Sequence, residues 1–325
     1  MELKDLSFPK GTRFLVTGGA GFIGSNIVEV ILNAGYKVRV LDNFSTGKKK
    51  NIEDFLSCNN FELIEGDIRE IEVCKKACKN IDYVIHQAAL GSVAGSIEDP
   101  VLYNDVNVNG HINMMEAARE NRVKRFIYAS SSAVYGNNEG FPKKEGEEGV
   151  LISPYALTKK INEEYANLYH RVYGLETIGL RYFNVFGKRQ DSEGRYAAVI
   201  PKFVKELLAG EVPCIYGDGE TTRDFVYIDN VVQANLKACF ADKTASGKVF
   251  NIGNGKRSTL NNLYVKLSEL LDKRDIQPVY CEERKGDIKD STADITQAVE
   301  ILNYIPEYSV DRGLELTIDW YKENL

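Results

Sequence analysis

The stretch VTGGAGFIGSNI, residues 16–27, joins a run of strand-forming residues to a run with helical periodicity. It contains three evenly spaced glycines, Gly18, Gly21 and Gly24, directly at that junction. Glycine is needed where backbone turns tightly and approaches a pyrophosphate, which then lies at the positive end of the following helix. Glycine-rich turns between a strand and a helix also occur for purely structural reasons. The motif therefore needs support from the rest of the chain.

Five later residues fall where a bound dinucleotide would need them. Asp42 ends the second predicted strand about 20 residues on, where its carboxylate can accept hydrogen bonds from the ribose 2′- and 3′-hydroxyls. That negative charge would repel a 2′-phosphate, so NAD is favoured over NADP. Asp67 and Ile68 follow the third strand, where adenine would lie, and Ala88 and Ala89 end the fourth strand with small side chains. Motif and context together predict an NAD site.

Strand-like and helix-like segments alternate through the first half of the chain. The predicted strands are residues 13–18, 37–43, 61–66, 82–89, 124–131 and 175–187, and the predicted helices are 22–35, 48–56, 69–79, 101–121 and 153–174. The last helix has Ser153 as its N-cap, Pro154 in its first turn and Gly174 at its end. Strict alternation predicts an α/β fold, a Rossmann-like doubly wound parallel sheet with helices on both faces.

The pattern changes after residue 187, where polar loops rich in Gly, Asp and Arg separate shorter helices. Polar loops on a rigid α/β frame are where substrate contacts usually lie. We therefore expect residues 1–187 to form an NAD-binding Rossmann domain. Residues 188–325 are expected to form mainly a smaller α/β substrate-binding lobe, from which segments can return to the sheet.

Composition excludes several functional classes. The net charge is −6, from 41 basic and 47 acidic residues mixed throughout, so the chain has no basic stripe for nucleic acid. No window approaches about 18 uninterrupted apolar residues, so no membrane-spanning helix is expected. The N-terminus begins with charged residues and lacks the apolar stretch of a signal peptide. We expect a cytoplasmic protein.

The cysteines do not indicate a metal site. Cys74 and Cys78 could share one helix face, but a metal would need two more ligands, and the three histidines are not spaced to supply them. We therefore expect no zinc and predict free thiols throughout. The six cysteines are Cys58, Cys74, Cys78, Cys214, Cys239 and Cys281.

Tyr155 and Lys159 form a YxxxK pattern on the helix predicted at 153–174. Spacing of four residues puts both side chains on one helix face. A phenol with a pKa of about 10 is a poor base at neutral pH, but a neighbouring ammonium and a nicotinium charge would both lower that pKa. A tyrosine and a lysine at this spacing can also lie on the solvent-exposed face of a helix without any catalytic role. The functional interpretation gains force from the strand that ends at Ser130, Ser131 and Ser132, because strand ends of a parallel sheet converge on the ligand crevice.

The segments VTGGAGFIGSN, HQAA, ASSSAVYG, SPYALTKK, LRYFNVFG and RDFVYIDN, taken in this order, resemble the extended short-chain dehydrogenase/reductase family. The resemblance runs essentially end to end. Within this family the chain looks most like the nucleotide-sugar 4-epimerases. It implies that NAD stays bound while a 4-keto sugar forms, turns over and is reduced on its other face. It also implies a homodimer, formed through the helices near 101–121 and 155–173.

Two related activities are disfavoured by the segment after the strand. Dehydratases and decarboxylases of this family carry acidic residues there, whereas this chain reads Ser131-Ser132-Ala133-Val134-Tyr135. Epimerisation therefore fits better. The resemblance implies that Tyr155 accepts the proton of the sugar 4-hydroxyl and that Lys159 tunes the pKa of this tyrosine. It also implies that Ser131 or Ser132 donates a hydrogen bond to the developing carbonyl oxygen. It does not decide between the two serines.

The resemblance also implies binding residues. In addition to those named above, Phe22, Ile23, Asn43, Ser130 and Tyr182 are expected at the cofactor. The residues expected at the UDP-sugar are Ser92, Ser132, Tyr155, Asn184, Ala198, Val199, Tyr216, Arg223, Arg284, Asp287 and Ser291. Either arginine could otherwise be an ordinary surface ion pair. A guanidinium suits a diphosphate because its planar fork makes bidentate contacts.

Ser291 is the most informative position for substrate choice. Epimerases restricted to glucose and galactose resemble this segment but carry a tyrosine there, whereas a serine leaves room for a 2-acetamido group. We therefore favour UDP-GlcNAc and UDP-GalNAc, or their uronic acids, with UDP-glucose and UDP-galactose as the alternative. The similar subgroup often has Pro-Arg where this chain has Ala94-Gly95, and the missing charge argues against a uronate. A non-catalytic NAD-binding sensor is the alternative from another class.

Overall fold

Seven parallel strands form the central sheet of the structure, a computed structural model that describes residues 8–192, 198–283 and 290–325. The strand order is β11-β6-β5-β4-β1-β2-β3, and every pairing is parallel. These strands are β1 (Arg13–Thr17), β2 (Lys37–Asp42), β3 (Phe61–Glu65), β4 (Tyr83–His86), β5 (Arg125–Ser131), β6 (Thr177–Tyr182) and β11 (Lys248–Ile252). The predicted Rossmann-like α/β fold is confirmed.

Helices cover both faces of this sheet. Neighbouring strand residues alternate between two cores: Val16 and Ile127 pack in one, and Leu15 and Phe126 pack in the other. The first core includes α1 (Phe22–Asn33) and α8 (Ile228–Phe240); the second includes α2 (Ile71–Cys78), α5 (Gly110–Glu120) and α6 (Pro154–Tyr173). Burial on both faces explains why the strands read as apolar runs rather than as an alternating pattern.

Helix α6 begins and ends where the sequence predicts. The Ser153 hydroxyl accepts a hydrogen bond from the N–H of Ala156 at 3.1 Å, and Pro154 occupies the first turn. Gly174 ends the helix with φ +71°, a left-handed conformation that glycine adopts without steric cost. The two ends fix the position of this 20-residue helix along the sheet.

One predicted helix is wrong, and another is helical throughout but divided into segments. The segment 48–56 is not a helix but two short 3-10 turns, Lys49–Asn51 and Glu53–Phe55. The buried side chain of Asn51 donates to the carbonyl of Ala20 at 2.9 Å, which ties this segment to the glycine-rich turn instead. The stretch predicted at 101–121 is α4 (Pro100–Asn104), a π-helical turn (Asp105–Asn109) and α5, preceded by α3 (Val93–Glu98).

The chain after β6 builds three small sheets in the described residues. β7 (Asn184–Phe186) pairs with β10 (Phe225–Tyr227), β9 (Thr222–Arg223) lies between β12 (Ser258–Thr259) and β14 (Asp290–Ser291), and β8 (Cys214–Tyr216) pairs with β13 (Val279–Cys281). The remaining helices are α7 (Val199–Leu208), α9 (Leu260–Leu270), α10 (Thr296–Leu302) and α11 (Val310–Asn324). Because α8 and β11 return to the central sheet, the lobe is not continuous in sequence. The domain boundary itself stays a prediction.

The prediction that every cysteine is free is wrong for one pair. Cys214 and Cys281 form a disulfide between the paired strands β8 and β13, with their Cα atoms 6.1 Å apart. The two residues are 67 positions apart, so no local spacing indicates the pair. Cys58, Cys74, Cys78 and Cys239 are free.

The described ranges contain neither a candidate membrane-spanning helix nor a candidate metal site. No helix there is both long and apolar enough to cross a membrane. No three His, Cys, Asp or Glu side chains within those ranges come together in a way that could hold a metal ion.

Asp224 holds three segments of the lobe together. Its fully buried carboxylate accepts hydrogen bonds from the N–H groups of Asn254 at 2.7 Å, Gly255 at 3.0 Å and Ala293 at 3.1 Å. Gly255 and Asn254 follow β11, and Ala293 follows β14. The carboxylate therefore fixes the wall that carries Ser291 relative to the central sheet.

Replacing Asp224 by asparagine tests this anchor. An amide nitrogen would face N–H donors and leave them unsatisfied in a buried site, so we expect Asp224→Asn to lower the free energy of unfolding by about 1–3 kcal/mol. Denaturant unfolding followed by circular dichroism measures it. Asp218→Asn is the matched control, because exposed Asp218 accepts a single local bond from Glu220 that asparagine can also accept. Equal stability of the two variants would contradict the anchor.

Candidate active site

A cleft of about 940 Å³ opens at the carboxyl ends of the central strands. It lies where the strand order reverses between β1 and β4, which is where ligands bind in doubly wound sheets. All of the residues predicted at the cofactor line this one cleft. They are Gly18, Gly21, Phe22, Ile23, Gly24, Asp42, Asn43, Asp67, Ile68, Ala88, Ala89, Ser130, Tyr155, Lys159 and Tyr182.

The glycine turn has the close contacts that its sequence predicts. Gly18 has φ +66°, and a Cβ atom there would lie 2.7 Å from the backbone nitrogen of Ala88. A Cβ atom on Gly24 would lie 2.1 Å from the carbonyl oxygen of Gly18. Gly21 precedes α1 without a side-chain cap, so the N–H groups of the first helical turn are open to an anion in the cleft. These features fit a dinucleotide pyrophosphate.

Asp42 is held with its carboxylate at the cleft. One oxygen accepts from the N–H of Ala20 at 2.9 Å and the other from the N–H of Phe44 at 2.8 Å. Burial raises the pKa of Asp42, and these two hydrogen bonds oppose that effect. Each oxygen keeps a lone pair for a hydroxyl donor. The arrangement fits the ribose diol of NAD.

Asp67 is tied to the loop that follows β2. Its carboxylate accepts from the side-chain amide of Asn43 at 2.9 Å and forms an ion pair with Arg69 at 2.7 Å. These contacts, chiefly the hydrogen bond from Arg69, lower the pKa of Asp67 to about 2. The Asp67 carboxylate is therefore ionised and hydrogen-bonded through both oxygens, and it lines the cleft beside Ile68.

Tyr155, Lys159 and Ser131 meet at the other end of the cleft. The ammonium of Lys159 lies 5.9 Å from the centre of the Tyr155 ring and donates to the carbonyl of Ala129 at 3.0 Å. The hydroxyl of Ser131 lies in the same cleft, close enough to the Tyr155 phenol to lower the pKa of that phenol. Ser131 also accepts from the N–H of Ala133 at 3.1 Å, which directs its own proton away from the backbone. The structure thus brings Ser131 to the tyrosine.

The pKa values at this end differ from the expectation for the tyrosine. Burial raises the pKa of Tyr155, and the Ser131 hydroxyl only partly opposes it. Lys159, which was expected to lower the pKa of Tyr155, does not outweigh the effect of burial. Burial also lowers the pKa of Lys159 to about 8. Burial favours the neutral form of both groups. The phenol would therefore become a base near neutral pH only with a positive charge beside it.

Ser130 and Ser132 have different surroundings. Ser130 lines the cleft, but its hydroxyl donates to Glu163 at 2.5 Å rather than towards a ligand. Ser132 begins a 3-10 turn, Ser132–Tyr135, and lines the same cleft as Tyr155. Neither hydroxyl replaces Ser131 as the partner of the tyrosine.

A second cavity of about 430 Å³ continues from the main cleft into the lobe. Asn184 and Arg223 line both cavities, so they lie where the two meet. Three more of the predicted substrate residues, Ala198, Val199 and Tyr216, line the second cavity. Arg284 and Asp287 lie outside the described residues. Ser92 is not among the residues that line either cavity; its hydroxyl caps α3 by accepting from the N–H of Gly95 at 3.0 Å.

Ser291 lines the main cleft together with the catalytic candidates. It lies on β14 in register with Arg223 of β9, and its carbonyl accepts from the N–H of Asp224 at 2.8 Å. The backbone of Ser291 is therefore fixed by the same segment that carries the arginine.

Several lining residues were not predicted. Gln87 follows β4 and donates to the hydroxyl of Tyr182 at 3.0 Å, which helps to hold that ring. Its place in HQAA at a strand end was a usable signal. Phe183, Gln190, Thr46 and the α3 residues Val93, Ala94 and Ile97 also line the cleft, and no local pattern marks them.

Comparison with known proteins agrees with this geometry. The profile of the NAD dependent epimerase/dehydratase family matches residues 14–253. A putative UDP-glucose 4-epimerase from Methanocaldococcus jannaschii is 40% identical over 95% of this chain and 98% of its own length. A UDP-glucuronate 4-epimerase from Thermodesulfobacterium geofontis is 33% identical over 96% of this chain and 97% of its own.

A solved structure is also similar over its whole length. It is the UDP-N-acetylglucosamine 4-epimerase from Methanobrevibacter ruminantium M1 in complex with UDP-N-acetylmuramic acid. The TM-score is 0.92 at 41% identity, covering 98% of this chain and 100% of the other. The residues of the cleft fit NAD, and the relatives match in sequence and fold over nearly the entire chain. This protein is therefore an enzyme of the NAD dependent epimerase/dehydratase family, and its cofactor is NAD.

Proposed function

We propose that this enzyme interconverts UDP-GlcNAc and UDP-GalNAc by inverting the sugar at C4. It is an NAD-dependent UDP-sugar 4-epimerase, and thus an isomerase, the activity that the names of the three relatives described above carry. The choice of sugar is our inference. The observation that carries it is the small side chain of Ser291 in the same cleft as Tyr155 and Ser131.

The two connected cavities give the substrate a direction. We place the uridine end in the second cavity, against Ala198, Val199 and Tyr216. Arg223 lines both cavities, so its guanidinium would meet the diphosphate where they join. The sugar then reaches into the main cleft beside Tyr155. This orientation gives each predicted substrate residue of the described lobe a distinct part of the ligand.

Three side chains would act on the sugar 4-hydroxyl. Bound NAD supplies a reversible hydride acceptor at the sugar C4. Tyr155 takes the proton of the 4-hydroxyl, and Ser131, which lines the same cleft near the tyrosine, donates to the oxygen as it becomes a carbonyl. Lys159 keeps a positive charge near the phenol and favours its ionised form. The 4-keto sugar turns in the cleft, and Tyr155 returns the proton after reduction of the other face.

Ser291 leaves space where a larger side chain would stand against the sugar. Arg223, its neighbour in register, would hold the diphosphate, so Ser291 lies on the wall beside the adjoining sugar. A 2-acetamido group fits there more easily than it would beside a tyrosine. The structure of the M. ruminantium enzyme contains an N-acetylated UDP-sugar, UDP-N-acetylmuramic acid, which supports an acetylated substrate here.

Uronic acids are a weaker candidate. A carboxylate on the sugar would need a cation, and among the described residues that line the main cleft only Lys159 and Arg223 carry one. Both already have roles in the proposed arrangement. The α3 segment presents Val93, Ala94 and Ile97 to the cleft instead. UDP-glucose and UDP-galactose are not excluded by size and remain the alternative pair.

A sensor without catalysis fits the geometry less well. Binding of NAD alone would not need a serine, a tyrosine and a lysine together at the same end of the cleft. Burying these polar groups together costs folding free energy. Their presence favours an enzyme.

We further propose a homodimer. Apolar side chains remain exposed on two neighbouring helical segments: Val101 of α4 is 78% exposed, and Val172 of α6 is 60% exposed. Leu157 and Leu168 are also exposed on α6. Large apolar side chains exposed on neighbouring helices are typical of interaction sites. These side chains do not pack against the parent sheet, so pairing with a second copy is the better account of them.

The two serines are distinguished by substitution. We expect Ser131→Ala to lower kcat by about 100-fold with little change in KM, because it removes a hydrogen bond that strengthens as the carbonyl forms. Ser132→Ala should instead raise KM and leave kcat within about 5-fold. Initial rates followed by proton NMR of the anomeric region measure both. A larger loss of kcat in Ser132→Ala would reverse the assignment.

Ser291→Tyr tests the choice of sugar. The wild type should equilibrate UDP-GlcNAc with UDP-GalNAc, and the tyrosine should lower kcat/KM for this pair by about 100-fold through steric exclusion. The rate on UDP-glucose should stay within about 3-fold, because that sugar lacks the acetamido group. Ser291→Ala is the control and should keep both activities. Conversion of UDP-glucose alone by the wild type would contradict the acetylated substrate, and equal losses on both pairs in Ser291→Tyr would contradict the role of Ser291.

A further inference from the structure

Glu163 is a buried carboxylate for which the reaction described above has no use. It lies on α6, four residues after Lys159 and eight after Tyr155, so all three side chains share one face of the helix. The side chain of Glu163 is 4% exposed. A charge at that depth is costly unless it is paired and hydrogen-bonded.

Both carboxylate oxygens of Glu163 are bound to the central sheet. One oxygen accepts from the hydroxyl of Ser130 at 2.5 Å and from Nε of Arg181 at 2.8 Å; the other accepts from Nη2 of Arg181 at 2.7 Å. Ser130 of β5 and Arg181 of β6 are paired in register. The carboxylate thus connects α6 to two adjacent strands at one point.

Arg181 is itself held in place. Its Nη1 lies 2.5 Å from a carboxylate oxygen of Glu148, and its guanidinium lies 5.0 Å from the centre of the Tyr135 ring. The arginine is 1% exposed. Rigid partners on the sheet make the position of Glu163, and hence of the helix, well defined.

We propose that Glu163, bound by Ser130 and Arg181, is a positioning residue that sets the place and the charge of Lys159 beside Tyr155. It touches neither substrate nor cofactor and acts through the lysine. The inference deepens the proposed epimerase function and rests on it for its kinetic consequence. Its electrostatic consequence does not depend on which sugar the enzyme takes.

The charge of Lys159 depends on Glu163 because few other charges reach it. Burial lowers the pKa of Lys159 to about 8, and the Glu163 carboxylate raises it against that effect. Loss of the carboxylate therefore lowers the pKa further, so the ammonium is lost at a lower pH. The other groups near the lysine come from several elements. Tyr155 lies on its own helix, and β5 contributes Ser131 and the Ala129 carbonyl. The remaining groups are His86 on β4, His111 on α5, and Arg181, which is bonded to Glu163.

The two histidines do not compensate for the loss. Burial lowers the pKa of His86 to about 3 and that of His111 well below its ordinary value, so both rings are neutral near pH 7. Arg181 keeps its ion pair with Glu148 when Glu163 is neutral. Its positive charge would then lower the pKa of Lys159 still more.

Glu163→Gln tests the charge directly. We would follow the titration of Lys159 by NMR of protein labelled with ¹³C,¹⁵N-lysine, with the signal assigned through Lys159→Arg. The expected result is a pKa lower than that of the wild type by about one unit. Glu164→Gln is the matched control, because Glu164 is the exposed neighbour on the same helix and should leave the titration unchanged. An unchanged Lys159 pKa in folded Glu163→Gln would overturn the proposal, whether or not any UDP-sugar is converted.

Kinetics give the second readout. For the sugar pair that the wild type converts, the alkaline limb of kcat against pH should move to lower pH by about one unit in Glu163→Gln, with KM little changed. Glu163→Asp keeps the charge and should keep the pH limb, while its shorter side chain lowers kcat. Ser130→Ala retains Glu163 and should lower kcat without moving the limb. A wild type inactive on every UDP-sugar would contradict the proposed function alone, since the titration still decides the role of Glu163.

Discussion

The reversal of strand order between β1 and β4 is the constraint on which the site depends. It opens a crevice at the carboxyl ends of the strands, and every catalytic candidate is delivered there by an element that the sheet positions. The glycine turn follows β1, the serines end β5, and α6 lies against β5 with its tyrosine and lysine towards the crevice. The small sheets of the lobe add Arg223 and Ser291 to the lining of the cleft.

Much of this could be predicted because the decisive signals are local. Gly18 is required by its left-handed φ of +66°, Gly24 by its close approach to the Gly18 carbonyl, and the YxxxK spacing follows from helix geometry alone. Strand ends of a parallel sheet converge, so Ser131 and Tyr155 could be brought together without any knowledge of their distance. The fold and the glycines, Asp42 and the YxxxK pair of the cofactor site follow from these short-range rules, whereas other cofactor residues were expected only from the family resemblance.

What was missed depends on contacts between distant parts of the chain. The disulfide joins Cys214 and Cys281 across the paired strands β8 and β13, and the spacing of these cysteines in the sequence does not indicate that pairing. The segment around Asn51 forms turns because its side chain bonds to the glycine loop. The pKa of Tyr155 is raised by a burial that only the packed structure creates. Local patterns carry no information about such partners.

The central claim is that hydride leaves and returns to the same sugar carbon within one closed cleft. The most direct measurement incubates purified enzyme with UDP-GlcNAc deuterated at C4, in ordinary water and without added cofactor, and follows the products by NMR and mass spectrometry. We predict UDP-GalNAc that keeps its deuterium at C4, because bound NAD takes the label and gives it back. Inversion with loss of the label to water, or no inversion of any UDP-sugar, would contradict the claim.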